Sequence, residues 1–182
     1  MIRLFAALAA LSLVGSVGAV AQQMAPPQQA APAQQAAPAP ALEMALAREA
    51  AQAALDACTA YGIKAGVSIV DSEGVLRLLL SVDGASKNGV ESSTKKAFTA
   101  NALKEATFSV TERMKTDQAL AAKLNADSSL FVRPGGMPIK VGDQVVGAIG
   151  VGGGQTLNGV AGGERDAACA IAGLNKIKDR LK

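Results

Sequence analysis

The chain has 182 residues, a formal charge of +3, no Trp, one Tyr, four Phe and no His. Without His, a His-ligated metal or haem iron and Ser-His or Cys-His catalysis are excluded within one chain. The basic residues are scattered and lack aromatic neighbours, which argues against a nucleic-acid surface.

Met1-Ile2-Arg3 puts one positive charge ahead of an apolar run over 4–14, and Ala19-Val20-Ala21 closes the segment. That is the order of a cleavable secretory signal, expected over 1–21. The apolar run is too short and too rich in small residues for a transmembrane helix, so no stable membrane insertion is expected after cleavage. Residues 22–40 reduce to Ala, Pro, Gln and one Met, with Pro26, Pro27, Pro32, Pro38 and Pro40 forbidding a regular helix. They read as a disordered linker, and 41–182 as one domain in a periplasmic or secreted protein.

The first expected element is a helix over 42–61, with Leu46, Ala50, Ala54, Ala57 and Tyr61 as its apolar stripe and Gly62 as its C-terminal cap. A β-rich run over 65–70, the turn 71–74 and a second run over 75–82 make a hairpin, followed by a loop over 83–89. Helices are expected over 91–106 and over 111–124, the latter capped by Thr111. A short strand over 130–132 precedes the break Arg133-Pro134-Gly135-Gly136, and strands over 139–141 and 145–151 flank Gly142-Asp143 as a second hairpin. A Gly-rich loop over 152–163 leads to a last helix over 164–181, with the stripe Ala167, Ala170, Leu174, Ile177 and Leu181. Hairpins early and late, with helices between and at both ends, describe an α+β fold in which helices pack on an antiparallel sheet.

The glycines do not form a nucleotide motif. Gly150-Val151-Gly152 lacks the third glycine because Gln155 stands there, and no P-loop pattern occurs. Close backbone approach accounts for Gly135, Gly136, Gly147, Gly150 and Gly152, with pocket lining as the alternative.

The two cysteines sit on the first and last expected helices. In an oxidising compartment Cys58 and Cys169 are either a disulfide between helix flanks or two separate thiols. A catalytic thiol is disfavoured because no His is present to activate it. Asp71, Glu73 and Asp83 are ordinary turn carboxylates, and no carboxylate pair is spaced in a way that demands acid–base use.

Four segments together carry a resemblance. Val67-Ser68-Ile69-Val70-Asp71-Ser72-Glu73-Gly74, Lys95-Lys96-Ala97-Phe98-Thr99-Ala100, Gly135-Gly136-Met137-Pro138-Ile139 with Val145-Val146-Gly147-Ala148-Ile149-Gly150-Val151, and the closing Asp166 to Leu174 stretch resemble the GlcG/HbpS-like haem-binding or haem-degrading family in order and separation. The resemblance implies a profilin-like sheet flanked by N- and C-terminal helices, homo-oligomers, and haem as a cofactor. It places Thr107, after the K-A-x-T-A segment, beside a haem, with Lys96, Thr99, Arg113 and Met114 in the same region. Plain helix positions are the alternative for Lys96 and Thr99, and a helix-end hydroxyl serving backbone groups is the alternative for Thr107. Relatives carry an acidic E-x-x-E pair before the Lys. This chain keeps Glu91 but has Thr94 in the second place, which departs from an iron-binding pair. The first functional expectation is an exported haem-binding protein acting as carrier, sensor accessory or haem-degrading protein. The others are an oligomeric structural or sensory module for another small ligand, and an enzyme on a small metabolite.

Overall fold

A computed structural model describes residues 41–182; the expected signal over 1–21 and the linker over 22–40 lie outside the described residues. The elements run α1 (Met44–Ala60), β1 (Gly66–Asp71), β2 (Leu76–Ser81), α2 (Lys87–Leu103), α3 (Thr107–Thr116), α4 (Gln118–Ala126), β3 (Gly136–Val141), β4 (Gln144–Gly152) and α5 (Gly162–Ile177), with a single 3₁₀ turn after α5. The strands form one antiparallel sheet in the order β2-β1-β4-β3. The architecture is α+β, as the sequence implies. Among the described residues no helix is long and apolar enough to cross a membrane.

The period-2 alternation of the central strands sorts side chains into two layers. Val67 and Ile69 of β1 join Ile149 and Val151 of β4, and with α1 and α5 they form the main core. Val70 and Ala148 face the other way, against Ala97 and Ala100 of α2. With few aromatics available, the largest fully buried side chains are Ile and Val, led by Ile69, Ile139, Ile149 and Ile177. Each contributes roughly 1.5–3 kcal/mol by leaving water. Helix α1 ends where expected: Gly62 takes a left-handed φ of +69° just past its last turn. Tyr61, placed in the expected stripe, is instead 54% exposed.

The α2 layer is built from small residues, so the helix lies almost on the backbone of the sheet. A Cβ on Gly150 would stand 2.1 Å from Ser93 O and 2.4 Å from the amide N of Ala97. Glycine there is a requirement of close approach, as the sequence reading proposed for these positions.

Several boundaries differ from expectation: β3 begins at Gly136 rather than 139, and α5 runs Gly162–Ile177 rather than 164–181. Helix α2 starts at Lys87, four residues early, because the Ser86 side chain accepts from Gly89 N and caps it. The helix expected over 111–124 is two helices split at Asp117, whose Oδ1 accepts from Leu120 N at 2.9 Å and caps α4. Thr111 is therefore inside α3 and donates to Thr107 O at 2.7 Å. Residues 130–132 are not a strand. Phe131 N–H is taken by Thr99 Oγ1 at 2.8 Å, and Leu130 N bonds to Asp127 O in a turn. Pro138 sits within β3, which the topology explains because β3 is an edge strand.

Candidate functional site

Among the described residues, Lys96 and Asp166 are the two charged residues that the fold buries most deeply, at 4% and 2% exposure. Lys96 lies on the sheet-facing side of α2, one position before Ala97. Asp166 lies early in α5, one position before Ala167 in the apolar stripe. Lys96 Nζ donates to Asp166 Oδ2 at 2.7 Å and to Val151 O at 3.0 Å, and Gly154 N donates to Asp166 Oδ1 at 2.7 Å. Burial pushes the Asp166 carboxyl above its ordinary range, opposed by the Lys96 ammonium and by the Gly154 N–H. The pair ties α2, the end of β4, the glycine loop after it and α5 to one point.

Above this pair opens a cleft of about 830 Å³. One wall is α2, with Glu91 and Lys95; a second is α3, with Thr111, Glu112 and Lys115. The third is the segment Phe131, Arg133 and Pro134, and the floor is Lys96, Asp166 and the glycine loop. Thr99 holds the third wall in place, because its hydroxyl accepts from Phe131 N and donates to Lys95 O at 2.8 Å. Lys95 Nζ stands 6.0 Å from the centre of the Phe131 ring, at the outer limit of a cation–π contact. Most cleft charges are paired: Lys115 with Glu112 at 2.6 Å, Glu91 with Lys87 at 3.7 Å, and Lys96 with Asp166. Among the described residues, Lys95 and Arg133 have no carboxylate within ion-pair distance. The result is a cleft whose lining holds one aromatic ring and two unpaired cations.

The residues singled out from the sequence are not all brought together. Lys96 and Glu91 line the cleft, and Thr99 supports it from behind. Thr107, the first residue of α3, is fully buried away from the cleft lining. Its hydroxyl accepts from Gly136 N at 2.9 Å and donates to Gly136 O at 3.2 Å, clamping the start of β3 to the start of α3. That is the helix-end hydroxyl alternative in structural form. Arg113 points its guanidinium at Glu105, 2.6 Å away, and neither it nor the partly buried Met114 lines the cleft. Thr94 donates to or accepts from Ser68 Oγ at 2.8 Å, next to the buried Ser68–Ser93 contact at 2.7 Å. The position where relatives carry a second acid is thus part of a hydroxyl cluster under α2. Among the described residues, no three metal-ligating side chains converge.

Cys58 and Cys169 are joined as a disulfide between α1 and α5, with Cα atoms 5.4 Å apart and no solvent exposure. It lies in the helix layer on the sheet face opposite α2. A smaller cavity of about 440 Å³ adjoins the cleft beyond the glycine loop and is lined by Tyr61, Lys64, Leu157 and Arg165. Arg165 donates to the Tyr61 and Gln155 carbonyls at 2.6 and 2.8 Å, so its charge is committed to holding that loop on α1.

The lining offers groups suited to the periphery of a haem, not to its iron. The volume falls in the usual range for small-ligand sites, about 300–1,000 Å³. Phe131 and Pro134 offer an apolar surface, and Lys95 and Arg133 offer cations for propionates. The lining contains no His, Met, Cys or Tyr, the side chains that ordinarily ligate haem iron.

Sequence reasoning missed Asp166, Lys95, Phe131 and Arg133 as site residues. The available signal was a charge beside an apolar stripe, at Lys96 before Ala97 and at Asp166 before Ala167.

Comparison with known proteins agrees with this architecture. The family described as haem degrading protein HbpS-like matches residues 42–175. Klebsiella pneumoniae ORFY is 25% identical and superposes with a TM-score of 0.69, covering 82% of this chain and 98% of its own. A double mutant of Streptomyces reticuli HbpS is 28% identical with a TM-score of 0.68, covering 81% of this chain and 94% of its own. PduOC, solved as a haem complex, is 22% identical with a TM-score of 0.65 over 75% of this chain and 95% of its own, a likeness that bears on the fold alone.

Proposed function

The chain belongs to the HbpS-like family of haem-degrading proteins, and from that premise we propose that it is an exported haem-binding protein whose ligand lies in the cleft between α2, α3 and the 131–134 segment. The observation that carries the reading is the presence of Phe131 in one cleft with the unpaired cations Lys95 and Arg133. A flat macrocycle bearing two carboxylates matches that surface: the ring packs on Phe131 and Pro134 while the carboxylates meet the cations. Bound haem supplies its own redox chemistry. What this chain supplies is the wall that orients the ring, and a floor fixed by the Lys96–Asp166 pair. In this reading Thr99 and Thr107 act from behind, by holding the third wall and the start of β3. Glu91 stands beside Lys87, and Thr94, in the place of the second acid, turns to Ser68. Assembly into a homo-oligomer is the companion proposal, taken from the family resemblance and checked by light scattering on a sizing column.

The test is a titration of the purified protein with haemin, followed at the Soret band. A saturable shift with a stoichiometry near one haem per chain supports the reading. A shift no larger than that given by an unrelated apolar protein overturns it.

A further inference from the structure

The cleft is notable for what its side chains are already doing. The two cysteines are consumed in the disulfide on the far face of the sheet. Met44 and Met137 pack on the main core, and Met114 lies outside the cleft. Tyr61 belongs to the neighbouring cavity. The Thr107 hydroxyl is doubly bonded to Gly136, and the Thr111 hydroxyl donates to Thr107 O. Glu91, Glu112 and Asp166 each hold a lysine. Among the described lining residues, that leaves Glu164 at the rim as the carboxylate without a partner, facing a cleft otherwise defined by a ring and two cations.

We infer that this cleft recognises the flat ring and paired carboxylates of a porphyrin and is indifferent to the metal at its centre, so that a metal-free porphyrin dicarboxylate binds as well as haemin. The inference rests on the haem reading above and sharpens its ligand class. A strong axial ligand would add affinity that only the iron form receives. With no imidazole, thioether, thiolate or phenolate at the cleft, the Lys95 amine engaged by a ring carboxylate and Glu164 only a weak carboxylate donor at the rim, binding comes from ring burial and from charge-assisted hydrogen bonds, which both porphyrins offer equally.

The experiment titrates the purified protein with haemin by absorbance and with iron-free protoporphyrin IX by fluorescence, in the same buffer. The two dissociation constants are expected to agree within about threefold. Lys95→Ala combined with Arg133→Ala should weaken both by the same factor, and the haemin complex should lack the low-spin spectrum of a strong two-ligand iron. Haemin binding more than about tenfold tighter than protoporphyrin IX, or a low-spin spectrum, overturns the inference and leaves the haem reading standing. Saturation by neither porphyrin overturns both.

Discussion

Asp166→Asn is the substitution with the most legible consequence. The carboxylate serves two donors on opposite sides, Lys96 Nζ at 2.7 Å and Gly154 N at 2.7 Å. An amide has one oxygen, so if it accepts from Gly154 its NH₂ faces the Lys96 ammonium, and if it accepts from Lys96 its NH₂ faces the Gly154 N–H. Lys96 is then a buried charge whose remaining acceptor is the Val151 carbonyl. Removing one partner of a buried ion pair costs about 3–5 kcal/mol, a lowering of the melting temperature by roughly 10 °C for a domain of this size. Thermal unfolding followed by circular dichroism at neutral pH measures it. Adding Lys96→Met to Asp166→Asn removes the stranded charge, so the double variant should be more stable than the sum of the two single losses predicts. A loss below about 1 kcal/mol for Asp166→Asn, or strict additivity in the double variant, would refute the claim that the pair is a coupled buried unit.

Thr107→Val keeps the shape of a buried side chain but strands the Gly136 N–H, and should cost about 1–3 kcal/mol in a denaturant melt; no change in midpoint would mean that Thr107 is not the clamp described. Reducing the Cys58–Cys169 bond, which spans 111 residues of sequence, should lower stability by about 2–5 kcal/mol when the protein is refolded under reducing conditions; equal melting curves for both forms would contradict a stabilising bond. The pH dependence is carried by Asp71. Asp71 is held below its ordinary value: burial alone raises it, but the hydrogen bonds from Val75 N–H, Arg77 and Glu73 N–H outweigh that. Its contribution is present above the ordinary Asp value of about 3.9 and is lost as pH falls below it. Asp71→Asn should therefore flatten the acid limb of stability against pH, and an unchanged limb would reassign it to other carboxylates.

Much of the fold was legible because the α1–sheet–α5 layer follows simple periodic rules. Alternating Val67, Ile69, Ile149 and Val151, the helical spacing of Leu46, Ala50 and Ala54, and Gly62 at the end of α1 all state their roles locally. The cysteines could be weighed as partners because both stand on the flanks of those same stripes. The α2 layer gave weaker signals. Its packing uses Ser93, Ala97 and Ala100 against glycines, so no large apolar stripe marks the face, and the start at Lys87 depended on Ser86 as a cap within what reads as loop. The break at Asp117 was hidden because helix-forming residues continue on both sides of it. The site itself was the least legible part. Lys96 and Asp166 are 70 residues apart, and Phe131 reads as strand until Thr99 is seen to hold its amide. Such contacts are set by tertiary placement, and only the odd charge beside a run of alanines hints at them.

The central claim is that the haem site is the cleft containing Lys95, Phe131 and Arg133. The most direct measurement compares haemin affinity in the wild type, in Lys95→Ala/Arg133→Ala, and in Lys123→Ala, which changes a lysine on α4 outside the cleft lining. The account predicts that the double variant weakens binding by about tenfold or more, as expected for losing two charge-assisted contacts, while Lys123→Ala binds as the wild type does. Equal affinities in all three proteins would contradict it and place any bound haem elsewhere on the molecule.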